Sequence, residues 1–268
     1  GTFTRLPRDW QRRFLDLAAE YKQRGLLKRI RCSTRPDTID PEHIRNLNRS
    51  GMDMIELGVQ SLDDRALRES RRGYSTEAVR RACRAVREQG MELGIQMMSG
   101  LPGQSPSGWH REIREVCRLR PDAVRIDRCL VLEGPPLAEL WRQGSYTPWN
   151  TEKTIGTVSR ATLRLWRSGI PVIRIGPPPE KGLLPHVLAG PWHPALGSLV
   201  RSRVLLHLLL GHAIGKGHKA VQGLDCPRRY QGELWGHRGA NREGLRRLGI
   251  SHDVVRYTEE SRFTLYFE

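Results

Sequence analysis

The feature that most constrains this chain is a regular alternation of apolar runs and amphipathic segments through its first 175 residues. Apolar residues at helical spacing predict helices over residues 7–25, 41–50, 76–89, 107–119, 137–143 and 152–168. Short apolar runs between them predict strands over residues 27–32, 54–59, 92–98, 123–132 and 171–175. Such alternation is typical of βαβ units, in which helices cover parallel strands. A closed or partly closed barrel and a doubly wound open sheet both fit this pattern.

A change of pattern near residue 180 predicts a domain boundary. The run Gly176-Pro177-Pro178-Pro179 cannot continue a helix and is poorly suited to a strand interior. Beyond it the pattern predicts an apolar helix over 196–210, a strand at 219–224, a helix over 238–248, and strands at 253–257 and 262–267. We therefore expect an α/β domain over residues 1–180 and a small α+β extension over residues 181–268.

Composition narrows the class of protein. The 268 residues carry 45 Lys and Arg against 29 Asp and Glu, a formal charge of +16, while 38% of them are hydrophobic. That apolar content excludes a disordered tail, and no run reaches the ~18 apolar residues of a membrane-spanning helix. The basic excess is typical of a nucleic-acid partner. However, only six of the basic residues are Lys, so arginines spread over ordinary helix surfaces would explain the charge equally well.

The cysteines indicate the compartment. All five are isolated in the sequence, so they form neither a disulfide framework nor a C-x-x-C metal motif. The sequence therefore predicts a reducing, cytoplasmic location and no metal ligands within this chain.

Polar residues at predicted strand ends mark a candidate ligand site. In parallel α/β folds, functional groups lie at the carboxyl ends of strands and in the loops that follow them. Gln60 and Gln96 end two successive apolar strands, and an interior amide must find hydrogen-bond partners. Either one alone fits an internal network, but the pair at equivalent ends favours a ligand. The loop from Gly100 to Gly103 would let a backbone approach that ligand closely.

Five sequence motifs, in their order and spacing, resemble those of the radical S-adenosylmethionine (SAM) superfamily. The nearest likeness is to its Elongator catalytic-subunit-like branch, and a more distant one is to the oxygen-independent coproporphyrinogen oxidases. The resemblance runs from Gly1 to about residue 175. The motifs are Ser33-Thr-Arg-Pro-Asp37, Glu56-Leu-Gly-Val-Gln60-Ser-Leu-Asp-Asp64, Arg71-Arg-Gly-Tyr-Ser75, Met97-Met-Ser-Gly-Leu-Pro-Gly103, and Leu130-Val-Leu-Glu-Gly134 followed by Glu139-Leu-Trp141.

This resemblance implies a partial (βα)6, TIM-like barrel that lacks its first strand. In that family SAM binds across the strand ends beside a [4Fe-4S] cluster. An electron from a reducing donor cleaves SAM to a 5′-deoxyadenosyl radical, which abstracts hydrogen from the substrate. The family's C-x-x-x-C-x-x-C cluster motif would precede Gly1, and none of the five cysteines reproduces it. We therefore expect the ligating cysteines to lie outside this chain.

The resemblance also implies roles for individual residues. Gly1, Thr2 and Thr4 resemble the end of the glycine-rich segment that holds the methionine amino group, and Gln60 and Arg72 match residues that hold its carboxylate. Ser33 lies where many relatives have a Glu near the ribose, and Gln96 where they have an Asp or His near the ribose hydroxyls. With two neighbours at the same edge, the predicted cofactor-binding set is Gly1, Thr2, Thr4, Ser33, Arg35, Gln60, Arg72, Gln96 and Gly100.

The resemblance favours a radical SAM enzyme that modifies RNA, with tRNA as the leading substrate. The basic charge supports RNA if arginines converge on the rim of the barrel, where Arg35, Arg72, Arg125 or Arg128 would face a phosphate backbone. One alternative is radical oxidation of a small molecule such as a tetrapyrrole. Another is a non-catalytic RNA-binding or scaffold protein built on a degenerate barrel.

Overall fold

The computed structural model describes residues 2–176, 182–215 and 220–267. Helices and strands alternate through the first part of the chain, as the sequence predicts. In chain order they are α1 (Arg8–Gln23), β1 (Arg31–Thr34), α2 (Pro41–Arg49), β2 (Met54–Gln60), α3 (Asp64–Glu69), α4 (Thr76–Glu88), β3 (Glu92–Ser99), α5 (Pro106–Leu119), β4 (Ala123–Arg128), β5 (Val131–Leu132), α6 (Pro136–Arg142), α7 (Thr151–Arg167) and β6 (Val172–Ile175).

Five of these strands form one sheet in the order β1-β2-β3-β4-β6, and every neighbouring pair is parallel. Each new strand is added at the same edge of the sheet. A doubly wound sheet would instead reverse its strand order at a switch point. The strand order thus selects the barrel type over the doubly wound alternative, and the predicted fold class, an α/β partial barrel, is confirmed.

Burial of the strands follows from this arrangement. Every residue of β2 is buried, and Leu57, Leu93, Ile95 and Ile126 are almost completely inaccessible to solvent. Parallel strands covered on both faces read as nearly continuous apolar runs, which is why their positions could be predicted from the sequence.

Side-chain caps set where the connecting helices begin. Asp40 accepts a hydrogen bond from the backbone of α2, Asp63 from α3, Ser75 from α4 and Ser105 from α5. Each cap satisfies a backbone N–H that has no partner within its own helix. Because the caps follow the carboxyl ends of strands, they also fix the loops at that edge of the sheet.

Within the first 175 residues the structure differs from the predicted strands by more than one residue at two places; in the later part of the chain, the strand predicted at 219–224 extends to Pro227 and the one predicted at 253–257 begins at Val255. The first strand is Arg31–Thr34 rather than residues 27–32, because the N–H groups of Leu26 and Leu27 both bond to Tyr21 O at the end of α1. The predicted strand 123–132 ends at Arg128. The residues that follow form β5, which pairs antiparallel with β7 (Val187–Ala189) in a separate ladder.

The chain forms two compact units: Gly1–Asn150 with Arg164–Pro191, and Thr151–Leu163 with Trp192–Glu268. The predicted boundary at residues 180 and 181 lies outside the described residues and stays a prediction. The remaining elements of the second unit are α8 (Leu196–Gly215), β8 (Val221–Pro227), α9 (Gln231–Trp235), α10 (Arg242–Arg246), β9 (Val255–Thr258) and β10 (Thr264–Phe267).

The second unit is α+β, as expected. Its sheet has the order β10-β8-β9, with β8 antiparallel to β10 and parallel to β9. The helix predicted over 238–248 is shorter because Arg238 adopts a left-handed backbone conformation, with φ of 53°. Leu205, Leu224 and Leu245 belong to the apolar core of this unit.

Candidate functional site

A row of interacting polar side chains, of which Glu56 and Asp127 are buried, crosses the first four strands of the large sheet. Ser33 Oγ donates a hydrogen bond to Glu56 Oε1 at 2.8 Å, and Arg125 Nη1 lies 2.8 Å from the same oxygen. Arg125 Nε lies 3.2 Å from Asp127 Oδ2, to which Gln96 Nε2 donates at 2.6 Å. Because buried charges are stable only when paired, Arg125 links the two carboxylates. The row brings together Ser33 and Gln96, two of the predicted site residues.

Two side-chain carbonyl or carboxylate oxygens at this edge are buried without a partner. Gln60 Oε1 and Asp127 Oδ1 accept no hydrogen bond from any of the described residues. Gln60 is 5% exposed and Asp127 8% exposed, so desolvation of these acceptors costs free energy that no protein donor offsets. A ligand that carries hydrogen-bond donors would satisfy both atoms.

Gln60 is held by its backbone in an unusual way. Its φ is 65°, in the left-handed region that non-glycine residues rarely adopt. A side chain on Gly58 would place its Cβ 3.1 Å from Gln60 Nε2 and 3.7 Å from Gln96 Oε1. Because Gly58 has no side chain, the amide groups of Gln60 and Gln96 both fit beside it. The structure therefore brings these two predicted site residues close together.

Arg35 and Arg72 meet around the ring of Tyr74. Arg72 Nε donates to Tyr74 Oη at 3.1 Å, and Tyr74 Oη donates to Gly58 O at 2.8 Å. Arg35 Nη2 donates to Arg72 O at 2.6 Å, and its guanidinium carbon lies 5.1 Å from the centroid of the Tyr74 ring. The Tyr74 hydroxyl and the Arg35 guanidinium therefore support the loop that carries Arg72.

Arg35 also binds a carboxylate of its own loop. Its Nε and Nη2 donate to the two oxygens of Asp37 at 2.8 and 3.0 Å. Burial alone would raise the pKa of Asp37, but the hydrogen bonds from Arg35 outweigh it and lower that pKa. Arg35 is therefore committed to contacts within the protein and positions the loop after β1.

The amino-terminal residues lie against the same loop. The Thr4 hydroxyl is hydrogen bonded to Thr34 Oγ1 and, at 2.7 Å, to Thr38 Oγ1. Thr2 O accepts the N–H of Arg5 in a short 3-10 turn. Gly1 lies outside the described residues. Of the predicted glycine-rich segment, the structure thus brings Thr4 to the carboxyl end of β1.

Gly100 begins the loop after β3 with φ of 83°. Its N–H donates to Gln104 Oε1 at 2.7 Å, and its carbonyl accepts the Tyr146 hydroxyl at 2.6 Å. A Cβ at this position would lie 3.4 Å from the Trp149 ring. Both polar backbone groups of Gly100 are therefore occupied, and the glycine allows the close approach of an aromatic ring.

The buried carboxylate of Glu112 ties two of these loops together. Its Oε2 accepts Ser61 Oγ at 2.6 Å and Leu62 N at 2.7 Å, and its Oε1 accepts Gln104 Nε2 at 2.8 Å. Burial raises the pKa of Glu112, and these hydrogen bonds oppose the rise. Because α5 carries Glu112, this helix fixes the loops after β2 and β3 relative to each other.

A cavity of about 570 Å³ opens at this edge of the sheet, within the range of about 300–1,000 Å³ that is usual for small-molecule sites. Its polar lining includes Gln60, Arg72 and Asp127, so both partnerless oxygens belong to residues that line it. The complete lining is Gln60, Glu69, Ser70, Arg71, Arg72, Met98, Leu101, Pro102, Asp127, Arg128, Cys129, Leu130, Leu132, Pro135, Pro136, Leu137, Leu140 and Leu183.

The cysteines of this chain do not form a metal centre. All five are free, and burial raises the pKa of Cys32 and of Cys83 to about 12. Cluster ligation needs thiolates, which this burial disfavours. The described residues contain no group of three or more His, Cys, Asp or Glu that could hold a metal ion.

Sequence reasoning found Gln60 and Gln96 but missed the residues that organise them. Glu56, Arg125 and Asp127 carry charges inside otherwise apolar strands, and a buried charge needs a partner. That signal could have identified Glu56, which lies within the continuously buried strand β2. Of the predicted rim arginines, Arg125 is paired inside the sheet and Arg128 is only 6% exposed; burial lowers the pKa of Arg128.

Two protein-family descriptions match the chain, and together they span most of residues 5–205. One is the Radical SAM superfamily, over residues 5–116. The other is the Radical_SAM C-terminal domain, over residues 121–205.

Among curated relatives, the chain is similar to the tRNA uridine(34) acetyltransferase of Methanocaldococcus infernus. The two are 33% identical over 131 residues, which cover 48% of this chain and 24% of that protein. Human Elongator complex protein 3 is 27% identical over 183 residues, which cover 60% of this chain and 33% of that protein. The chain thus spans a quarter to a third of the length of these relatives.

Solved structures give the same likeness. The archaeal Methanocaldococcus infernus Elp3 with an N-terminal deletion matches with a TM-score of 0.64 and 26% identity, covering 81% of this chain and 53% of that one. Coproporphyrinogen III oxidase (HemN) from Escherichia coli matches with a TM-score of 0.51 and 21% identity, covering 63% of this chain and 39% of that one. At that identity, the second match speaks for the fold alone.

Proposed function

Because this chain belongs to the radical SAM superfamily, we propose that its cavity binds SAM and that the protein serves in tRNA modification. The observation that carries the proposal is the pair of buried, partnerless acceptors, Gln60 Oε1 and Asp127 Oδ1, on residues that line one cavity with Arg72. SAM offers both an ammonium group and ribose hydroxyls as donors, and a carboxylate that an arginine can bind.

The methionine end of SAM fits Arg72 and Gln60. The Arg72 guanidinium forms a charge-assisted bond to the carboxylate. The Gln60 amide donates to the carboxylate through Nε2 and accepts from the ammonium group through Oε1. Thr4, which lies at the carboxyl end of β1 against Thr34 and Thr38, belongs with Thr2 to the proposed methionine end of the site.

The ribose end fits the polar row. Asp127 supplies the acceptor for a ribose hydroxyl, and Gln96 positions that carboxylate through its 2.6 Å bond to Oδ2. Ser33 contributes indirectly, through its hydrogen bond to Glu56. Gly100 shapes the loop after β3. When bound, SAM supplies the adenosyl group for the family's radical chemistry. Arg35 supports Arg72 from behind, through the Arg72 carbonyl.

The [4Fe-4S] cluster of the family does not fit the cysteines of this chain. The thiols whose pKa burial raises include Cys32, Cys83 and Cys129, and the cysteines do not gather with other metal-ligating residues in the described part of the chain. These cysteines therefore have no part in the proposed reaction. A reducing electron donor is part of the proposal through the family's chemistry alone.

RNA is the substrate class we propose. The relatives named for tRNA uridine(34) acetylation support it, as does the net charge of +16. An RNA substrate also agrees with a cytoplasmic location. Among the described residues, no helix has the length and apolar character to cross a membrane. The tetrapyrrole alternative has only the fold likeness to HemN in its favour. A scaffold role without a ligand would leave the buried acceptors unexplained.

Calorimetric titration of the protein with SAM tests the proposed site. Arg72→Ala should weaken SAM binding about tenfold or more, because a charge-assisted bond is worth about 1.5–3 kcal/mol. Gln60→Ala should weaken it less. Arg68→Ala, which removes an exposed arginine one turn earlier on α3, is the matched control and should bind SAM like the wild type. Unchanged affinity in Arg72→Ala would reject the proposed carboxylate contact.

A further inference from the structure

The helix α3 ends in a backbone reversal that holds Arg71 in a strained conformation. Ser70 N bonds to Ala66 O, Arg71 N to Arg68 O and Arg72 N to Leu67 O, at 2.9–3.0 Å. This pattern places the residue after the helix cap in the left-handed region, where Gly or Asn is usual. Arg71 has φ of 50°.

An arginine at such a position costs free energy relative to glycine. The chain uses a glycine for the same need two residues later, where Gly73 has φ of 76°. Arg120 and Arg238 carry the same strain, with φ of 47° and 53°, so a role for the Arg71 side chain has to be read from where it lies.

The place of Arg71 indicates what that role is. It is exposed and lines the cavity beside Arg72. The ion pairs found among the described residues leave Arg71 out, whereas Arg35 is paired with Asp37 and Arg125 with Glu56. The neighbouring Ser70 Oγ, which also lines the cavity, is buried without a hydrogen-bond partner among the described residues.

We propose that Arg71 binds a phosphate of the RNA backbone at the mouth of the cavity. This inference rests on the proposed RNA substrate and names the residue that holds it at the site. An exposed guanidinium that makes no ion pair among the described residues matches a phosphodiester, which accepts several hydrogen bonds and carries one negative charge. The contact positions the RNA without reading its sequence.

The test uses the whole chain and unfractionated tRNA as the probe, with filter binding at several salt concentrations. Arg71→Asn removes the cation but suits the left-handed backbone. It should lower tRNA affinity about three- to tenfold at low salt and reduce the slope of log affinity against log salt by about one. Its melting temperature should be equal to that of the wild type or higher.

Arg120→Asn is the matched control. Arg120 also has a left-handed backbone, with φ of 47°, and is exposed, but it follows α5 at the opposite edge of the sheet. It should gain in melting temperature as Arg71→Asn does and keep its tRNA affinity. Equal loss of affinity in both variants would overturn the Arg71 contact, as would wild-type affinity in Arg71→Asn. Wild-type protein that fails to bind tRNA would instead reject the RNA substrate itself, and the Arg71 contact with it.

Discussion

The two edges of the large sheet use the same kind of side chain for opposite purposes. At the amino ends of the strands, Asp53 accepts Lys22 Nζ at 2.7 and 2.8 Å and Ile30 N at 2.7 Å. Asp122, at the start of β4, accepts Leu93 N at 2.8 Å. At the carboxyl ends, Asp127 keeps one oxygen buried without a protein partner. At the amino-terminal edge, Asp53 and Asp122 are hydrogen bonded to protein donors. At the carboxyl-terminal edge, Asp127 keeps an acceptor that a ligand could use.

The difference shows where this fold gives up stability for binding. A fully bonded carboxylate at a strand start stabilises the sheet. A buried acceptor without a donor, or a left-handed backbone at Gln60 or Arg71, destabilises it. In parallel barrels the amino-terminal edge serves stability and the carboxyl-terminal edge serves function. If that division holds here, substitutions at the two edges will change different measurements.

The largest effect is expected at the amino-terminal edge. Asp53→Ala removes the partner of Lys22 and leaves the Ile30 N–H without its acceptor. It should lower the free energy of unfolding by about 3 kcal/mol in urea denaturation, since hydrogen bonds to a charged group are worth about 1.5–3 kcal/mol. SAM affinity of the folded variant should stay at the wild-type value. A large loss of SAM affinity in folded Asp53→Ala would break the contrast between the edges.

The opposite result is expected for Asp127→Asn. The side chain keeps its shape and one acceptor for Gln96, and Arg125 loses this charged partner but keeps Glu56. The free energy of unfolding should therefore fall by less than it does in Asp53→Ala. SAM affinity should fall about tenfold, because a ribose hydroxyl loses a charged acceptor. Calorimetric titration and urea denaturation of the same preparation separate the two quantities. If stability falls as it does in Asp53→Ala while SAM affinity persists, Asp127 is a structural residue.

The fold was largely predictable because parallel strands and their helices leave strong periodic patterns. β2 and β3 match their predicted positions to within a residue or two. The start of β1 was not predictable, since Leu26 and Leu27 look like strand residues but their N–H groups bond to Tyr21 O. The end of β4 at Arg128 was also not predicted, because apolar residues continue in the sequence through Leu132.

The site was predictable only in part, for a related reason. Gln60 stands out as an uncharged polar residue that ends an apolar strand, whereas Gln96, predicted to do the same, lies within β3, three residues before its end. Asp127 and Arg125 lie in a run where apolar and charged residues alternate, which a half-exposed strand would also show. Only the three-dimensional pairing of Arg125 with Glu56 reveals that this face is interior. The strain at Arg71 depends on how α3 ends, and the sequence analysis did not predict that short helix.

Two glycines sharpen the comparison at a smaller scale. A Cβ on Gly94, near the start of β3, would lie 3.2 Å from the Cα and Cβ of Glu56. Because a strand backbone cannot move easily, Gly94→Ala should lower the free energy of unfolding by about 1–3 kcal/mol. A Cβ on Gly58 would meet mainly the flexible end of Gln60. Gly58→Ala should therefore cost less stability and weaken SAM binding about threefold, by displacing that amide.

These two variants make a matched pair, since each adds one methyl group to a strand of the same sheet. Melting curves of both variants compare their stability, and calorimetric titration compares their affinity for SAM. If both lose stability equally and neither changes SAM affinity, the amide of Gln60 does not contact the cofactor.

The smallest expected effect concerns Glu112, which joins the two loops at the carboxyl-terminal edge. Burial raises the pKa of this carboxyl group in the folded protein. Its contribution to stability is therefore fully present below the ordinary carboxyl pKa of about 4.3 and is lost as pH rises through the raised value. In Glu112→Gln this dependence disappears.

The measurement is the difference in unfolding free energy between wild type and Glu112→Gln, taken by urea denaturation from pH 4.5 to pH 8. The variant has lower absolute stability, because the Gln104 oxygen already accepts the Gly100 N–H and an amide at position 112 would face the Gln104 NH₂ group. The wild-type advantage should fall as pH rises, because the carboxyl group whose pKa is raised in the folded state loses its proton. Glu115→Gln, which removes the partner of Arg80 from the same helix, should not reproduce that fall. A constant difference would show that the donors around Glu112 fully offset its burial, making this carboxylate as well satisfied as those at the amino-terminal edge.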